Sequence, residues 1–270
     1  MERHPELEID LDKIVAAKFP GKKIPQWFIN RMKRFIHQDY LNGFFTKGYE
    51  GVEFCTEALR YLDVEIEVEG LDRVVVPEGS LMTFASNHPL GGVDGIALVS
   101  VIGEHFGVNV KVMVNDFLMF LKGLAPLCIP INKTGDQSRN LPALVRQMYE
   151  SGDNVIVCPA GLCSRRINGR IQDLPWSKNF IKMSVQSGRY VVPVHFIGRN
   201  SKRFYNVASI CKLLRLKFNF AMLLLPDELY RARHGKYRIV FGKPVPASAF
   251  DNSRTPYEWA QWVRAEAYKL

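Results

Sequence analysis

Seven short apolar runs, most separated from the next by a helix-length segment, constrain this chain more than any other feature. They fall at 64–68, 81–85, 111–114, 128–131, 154–158, 190–196 and 237–241. Runs of about four to eight residues bounded by turn residues read as buried strands. Strands alternating with helices define an α/β protein, so the expected fold is a mixed central sheet of about seven strands flanked by helices. The stretch 140–150 is amphipathic and stops at Gly152, while 256–268 reads as a closing helix capped by Thr255. With 270 residues, 47% hydrophobic and 23% charged, the chain suits one enzyme-sized unit without repeats or a long linker. A soft boundary near Gly48 to Gly51 separates an amphipathic helical segment, 1–50, from a main domain, 51–270.

The second run leads into Ser86-Asn87-His88-Pro89-Leu90-Gly91-Gly92-Val93-Asp94-Gly95, and residues 96–102 continue as a helix. His88 therefore belongs at a strand-to-helix turn, where a rigid scaffold commonly carries catalysis. A neutral imidazole can take a proton from an attacking hydroxyl, and a carboxylate on its other nitrogen fixes the tautomer and steadies the imidazolium. The plainer reading is that His88 and Asp94 only serve the start of the helix, where an acidic residue suits the first turn.

Asn87-His88 followed by Asp94 resembles the NHxxxxD signature of the glycerolipid and lysophospholipid acyltransferases. The resemblance implies that His88 is the base, Asp94 its orienter, and the acceptor's own hydroxyl the nucleophile. Five residues, not the family's four, stand between the two, so Asp94 reaches His88 only if Gly91-Gly92 absorbs the extra one as a bulge. Three further blocks follow in the family's order. The first, 114–121 with 126–133, ends in Lys133 where relatives usually carry a phosphate-binding arginine; an ammonium attracts an anion but offers no planar fork. The next, 155–166, resembles FPEGTRS, with Ala160 in place of the glutamate, Cys163 in place of the arginine, and Arg165 and Arg166 displaced beyond Ser164. The last, 190–194, ends in a strand carrying Pro193.

The resemblance thus implies an acyltransferase that moves a fatty acyl group from a thioester donor, acyl-CoA or acyl-ACP, to a lyso-lipid hydroxyl, with no bound cofactor or metal. Its expected substrate-binding residues are Asn87, Gly91, Gly92, Lys133, Gly161, Ser164, Arg165 and Arg166, with backbone amides around Gly91-Gly92 or Gly161 as oxyanion donors. The altered third block weakens the case for lysophosphatidic acid. It favours the branch that esterifies lyso-ornithine or lyso-glycine lipids, whose carboxylate Lys133 with Arg165 or Arg166 could pair. A non-catalytic lipid-binding protein of the same fold is the alternative. A hydrolase using Ser86 or Ser164 lacks the GxSxG elbow.

A net charge of +9 suits an anionic partner. No nucleic-acid-binding signature occurs, and two stretches, 19–45 and 202–225, mix basic with large apolar residues as interfacial segments do. Neither is long enough to span a bilayer. The N-terminal residues lack a secretion signal, and five cysteines form no CxxC pair. Expected partners are the lipid acceptor, the thioester donor with its carrier, which is coenzyme A or acyl carrier protein, and a membrane surface. The expected location is cytoplasmic, peripheral on the inner membrane face. Cys163 reads as a packing residue.

Overall fold

The computed structural model describes residues 4–18, 20–21, 23–107, 109–115, 121–131, 137–216 and 219–270. Lys133 falls outside them, with 116–120 and 132 of the same block, as does 217–218 of the second amphipathic stretch.

Strands covered on both faces are buried at consecutive positions, and β2 (Met82–Ser86) shows it directly: all five residues are buried, Thr83 and Ser86 included. Met82 and Phe84 join one core, whereas Ala85 joins the other. β8 (Tyr190–Ile197) alternates the same way, with Val192, Val194 and Phe196 on the first side and Val191 on the second. Around them the sheet is completed by β1 (Glu65–Glu69), β3 (Val110–Asn115), β4 (Cys128–Ile131), β5 (Asn154–Val157) and β9 (Lys236–Phe241). The order is β1-β9-β8-β2-β5-β3-β4, parallel throughout except where β8 meets β9. Each expected strand is present in this sheet. A separate two-stranded hairpin, β6 (Arg165–Ile167) and β7 (Arg170–Gln172), was not expected. Its turn is Asn168-Gly169, both at positive φ (49° and 78°), the pairing that matches strand twist in tight hairpins.

One face is covered by α4 (Gly51–Tyr61) and α5 (Val93–Phe106), the other by α6 (Gln137–Glu150), α7 (Asn179–Gln186) and α10 (Pro256–Ala267). Thr255 and Glu258 form a capping box at the start of α10, with Pro256 in its first turn. The turn after α6 is held by buried Arg189, which donates to the carbonyls of Tyr149, Ser151 and Asp153 at 2.7–3.1 Å. That satisfies helix-terminal acceptors which would otherwise lack partners.

The N-terminal helices α1 (Leu11–Lys18), α2 (Gln26–Phe35) and α3 (Gln38–Phe45) lead into the main core, where Phe44 is buried. His37, at φ 54°, joins α2 to α3; it pairs with Asp227 at 2.9 Å and stacks on Tyr230 with ring centroids 3.6 Å apart. Both partners belong to α9 (Leu225–Arg231), so this junction is tied to the helix beside the His88 loop. Meanwhile α8 (Lys202–Leu213) buries Phe204, Tyr205, Ala208 and Cys211. Phe35 of α2 packs against that cluster, under the Arg203 guanidinium. Both helices leave large apolar groups in solvent: Trp27 is 68% exposed, Leu213 81% and Leu214 61%. Among the described residues, no helix is long and apolar enough to cross a membrane.

Candidate active site

The carboxyl ends of β2, β5 and β8 lie side by side, because these three strands are parallel neighbours. Loops leaving such ends form the usual ligand crevice of an α/β sheet. His88 sits two residues past β2. Its segment is fastened by Asn87, whose amide oxygen accepts from the Phe196 N–H (2.7 Å) while its nitrogen donates to the Phe196 carbonyl (2.9 Å). Asn87 was expected to touch substrate; with both ends of its buried amide committed to β8, it serves as scaffold instead.

Beyond His88 the chain turns at Gly91, where φ is +78°, and enters α5 with Asp94 in its first turn. The five-residue spacing is thereby closed: His88 Nδ1 stands 3.1 Å from Asp94 Oδ2. That is charge-pair distance, although the angle is too poor for a well-formed hydrogen bond and Nδ1 has no other hydrogen-bond partner among the described residues. Oδ2 also accepts the N–H groups of Leu90 (2.8 Å) and Gly91 (3.2 Å), and Oδ1 that of Gly95 (2.9 Å). Asp94 thus holds both the imidazole and the loop around it. A Cβ on Gly91 would lie 2.4 Å from Cys163 Sγ and 3.0 Å from Leu225 Cδ2. In addition, the left-handed conformation costs an L residue roughly 1–2 kcal/mol, so the loop can pass between the third block and α9 only as glycine.

Asp94 is completely buried and the His88 side chain 23% exposed, so a substrate can reach the imidazole but not the carboxylate. Burial alone would push the Asp94 carboxyl upward, but the facing His88 charge and the N–H groups of Leu90 and Gly91 hold it below the ordinary carboxylate range. Burial likewise works against a charged His88, yet Asp94, with Cys158 and Cys163 nearby, holds the imidazole well above its ordinary 6.5. The thiol of Cys163 is pushed up by its own burial, which leaves it a packing group against Gly91.

The remaining expected residues divide. Gly161 turns the chain after β5 at φ 67°, but its N–H donates to the Cys158 carbonyl (2.9 Å) and cannot serve as an oxyanion donor. The Gly91 N–H is taken by Asp94, so Gly92 is the glycine of the set whose amide has no acceptor among the described residues. Ser164, expected at the substrate, is buried and donates its hydroxyl to Asp173 (2.6 Å) and its N–H to the His88 carbonyl (2.7 Å). Arg166 is exposed and donates to Asn206 of α8. Arg165 stays close to the centre: Nη1 donates to the carbonyls of Cys163 (2.6 Å) and Ser164 (3.1 Å), and its guanidinium lies over the Phe204 ring. Its Nη2 is buried without a hydrogen-bond partner among the described residues.

Two residues at the site carried no sequence-level signal. Asn200, in the loop after β8, donates to the carbonyls of Pro89 and Leu90 at 3.2 Å. Asp173, directly after β7, receives the His88 N–H at 3.2 Å.

Residues 13–270 match the acyltransferase family, and the chain belongs to it. It is an enzyme of that family, which sets aside the non-catalytic reading. A protein of Bacteroides thetaiotaomicron named lyso-glycine lipid O-acyltransferase is 50% identical over 266 residues, 97% of either chain. One of the same name from Phocaeicola vulgatus is 49% identical over 267 residues, covering 97% of this chain and 95% of its own. Among solved structures, the 1-acyl-sn-glycerophosphate acyltransferase PlsC of Thermotoga maritima is 14% identical, with a TM-score of 0.47 over 96% of this chain and 87% of that one.

Proposed function

We propose that this acyltransferase esterifies the hydroxyl of a lyso-glycine lipid with a fatty acyl group taken from an acyl thioester. The observation that carries the reading is the partly exposed His88 imidazole backed, 3.1 Å away, by a wholly buried carboxylate. Near-equal length and half-identity to two enzymes of that name support the acceptor. His88 Nε2 takes the proton of the acceptor hydroxyl as its oxygen attacks the thioester carbonyl; Asp94 orients the ring and balances the imidazolium. The tetrahedral intermediate then collapses, the C–S bond breaks, and the imidazolium returns its proton to the departing thiolate. The Gly92 N–H, at the positive end of α5, is the proposed oxyanion donor.

A glycine lipid presents a carboxylate, and the half-buried Arg165 guanidinium is the group proposed to pair with it. The test is an acyl-transfer assay with purified protein, pairing acyl-CoA and acyl-ACP with lyso-glycine lipid and with lysophosphatidic acid. Ester formation on the glycine lipid with either donor is expected; turnover of lysophosphatidic acid alone defeats the reading.

A membrane surface, the cytoplasmic leaflet, is the proposed place of work, with Trp27, Phe28, Leu213 and Leu214 entering the interface beside Arg203 and Lys212. Co-sedimentation with anionic vesicles should fall severalfold in the Leu213→Glu, Leu214→Glu double variant and in high salt. Binding that ignores both changes would sink the surface assignment.

A further inference from the structure

His88 is fixed from two directions, and only one of them is the Asp94 side. On the other side, Asp173 Oδ1 accepts the His88 N–H (3.2 Å) and the Ser164 hydroxyl (2.6 Å), while Oδ2 accepts the indole N–H of Trp176 (3.0 Å). The backbone of Asp173 is itself anchored to α10: its N–H donates to the Tyr268 hydroxyl (2.8 Å) and its carbonyl accepts from Arg264 (2.8 Å). The Ser164 N–H closes the ring on the His88 carbonyl. Both polar atoms of the His88 backbone are thus held, one by Asp173 and the other by the residue that Asp173 holds.

We infer that Asp173 is a positioning residue for the reaction, clamping the backbone of His88 and adding a second negative charge beside its imidazole. This rests on His88 being the base. Asp173 is completely buried, where an ionisable group is costly to keep charged and a neutral amide could make most of the same bonds. Burial pushes its carboxyl up, while the Ser164, Trp176 and His88 bonds oppose that rise. Three donors converging on one carboxylate are the arrangement that preserves charge in such a place. A charge beside the base favours the imidazolium formed at the transition state, and a held backbone preserves the approach geometry, in which about 1 Å of misplacement costs on the order of 100-fold.

The charged and titratable groups around the pair are Asp94 of α5, Cys158 and Cys163 of the third block, Arg264 of α10 and Tyr268 just past its end. None of these changes in Asp173→Asn. That variant, checked for folding by thermal melting, should lose about 10- to 100-fold in kcat with KM for donor and acceptor nearly unchanged. Its acid limb of kcat/KM should move to lower pH, because removing a negative charge disfavours the imidazolium.

An unchanged kcat, a loss confined to KM, or a lower kcat with the limb unmoved would each overturn the inference, the last by reducing Asp173 to a packing role. Should Asp173→Asn fail to fold, Trp176→Phe decides: it keeps an aromatic ring in the core and removes one donor, so kcat should fall severalfold and the limb shift down slightly. Parental values in that variant overturn the proposal. His88→Ala is run alongside. Activity surviving there refutes the base assignment itself, whereas an inactive His88→Ala beside a normal Asp173→Asn refutes the role of Asp173 alone.

Discussion

Replacing His88 with alanine should lower kcat by about 1,000-fold, the middle of the range for a lost general base, while leaving KM for the acyl donor close to the parent. Loop geometry depends on Asn87 against β8, on Asp94 gathering the Leu90, Gly91 and Gly95 N–H groups, and on Asn200 holding the Pro89 and Leu90 carbonyls. The imidazole contributes only its contact to Asp94, and it is partly exposed, so its removal leaves the scaffold standing. One cost remains: Asp94 would be a buried carboxylate without its cationic neighbour. The variant should therefore melt somewhat below the parent but remain folded. Initial rates of ester formation against a saturating acceptor give the answer, and a rate near the parent's would remove His88 from the mechanism.

The sheet was legible because its central strands are covered on both faces. Residues 82–85 and 190–196 are predominantly apolar at consecutive positions, with Thr83 and His195 the polar exceptions, and no helical periodicity competes with them. The hairpin of β6 and β7 escaped although Asn168-Gly169 is a strong turn signal. Its strands are three residues each, include Arg165, Arg166 and Arg170, and border no apolar run that would mark them. His88 and Asp94 were legible as a motif, but whether five intervening residues could close depended on one backbone angle at Gly91, which spacing does not encode. Asn87 and Ser164 show the opposite difficulty. A polar side chain next to a reactive one can face substrate or scaffold, and only its partners decide: Phe196 for the first, Asp173 and His88 for the second. Asp173 lies 85 positions from His88 in the chain, so their bond had no local trace.

Substituting Asp94 with asparagine should separate two effects that share one carboxylate, the rate and its pH dependence. In the parent, burial works against the imidazolium, but Asp94 overrides it and holds His88 well above 6.5. The free enzyme must therefore lose a proton before it can accept one from the acceptor, and kcat/KM should climb with pH through a limb lying above 6.5. With that charge gone, the largest opposition to burial is lost, so the limb of Asp94→Asn should move to lower pH than the parent's. The plateau rate should drop on the order of 1,000- to 10,000-fold, since the amide neither selects the reactive tautomer nor balances the developing charge. Stability runs the other way. A histidine whose folded value is raised stabilises fully below its unfolded value and loses that contribution as pH rises through the folded one; Asp94, held low, loses its share only as pH falls through its depressed value. The melting difference between parent and Asp94→Asn should thus be widest between those two limits and shrink above the folded value of His88, where activity is greatest. The pair that makes the enzyme active is most stabilising when the enzyme is protonated and idle. Rate profiles and melting curves collected over one pH series test both slopes, and a limb at the same pH in both proteins would mean that Asp94 does not set the charge of His88.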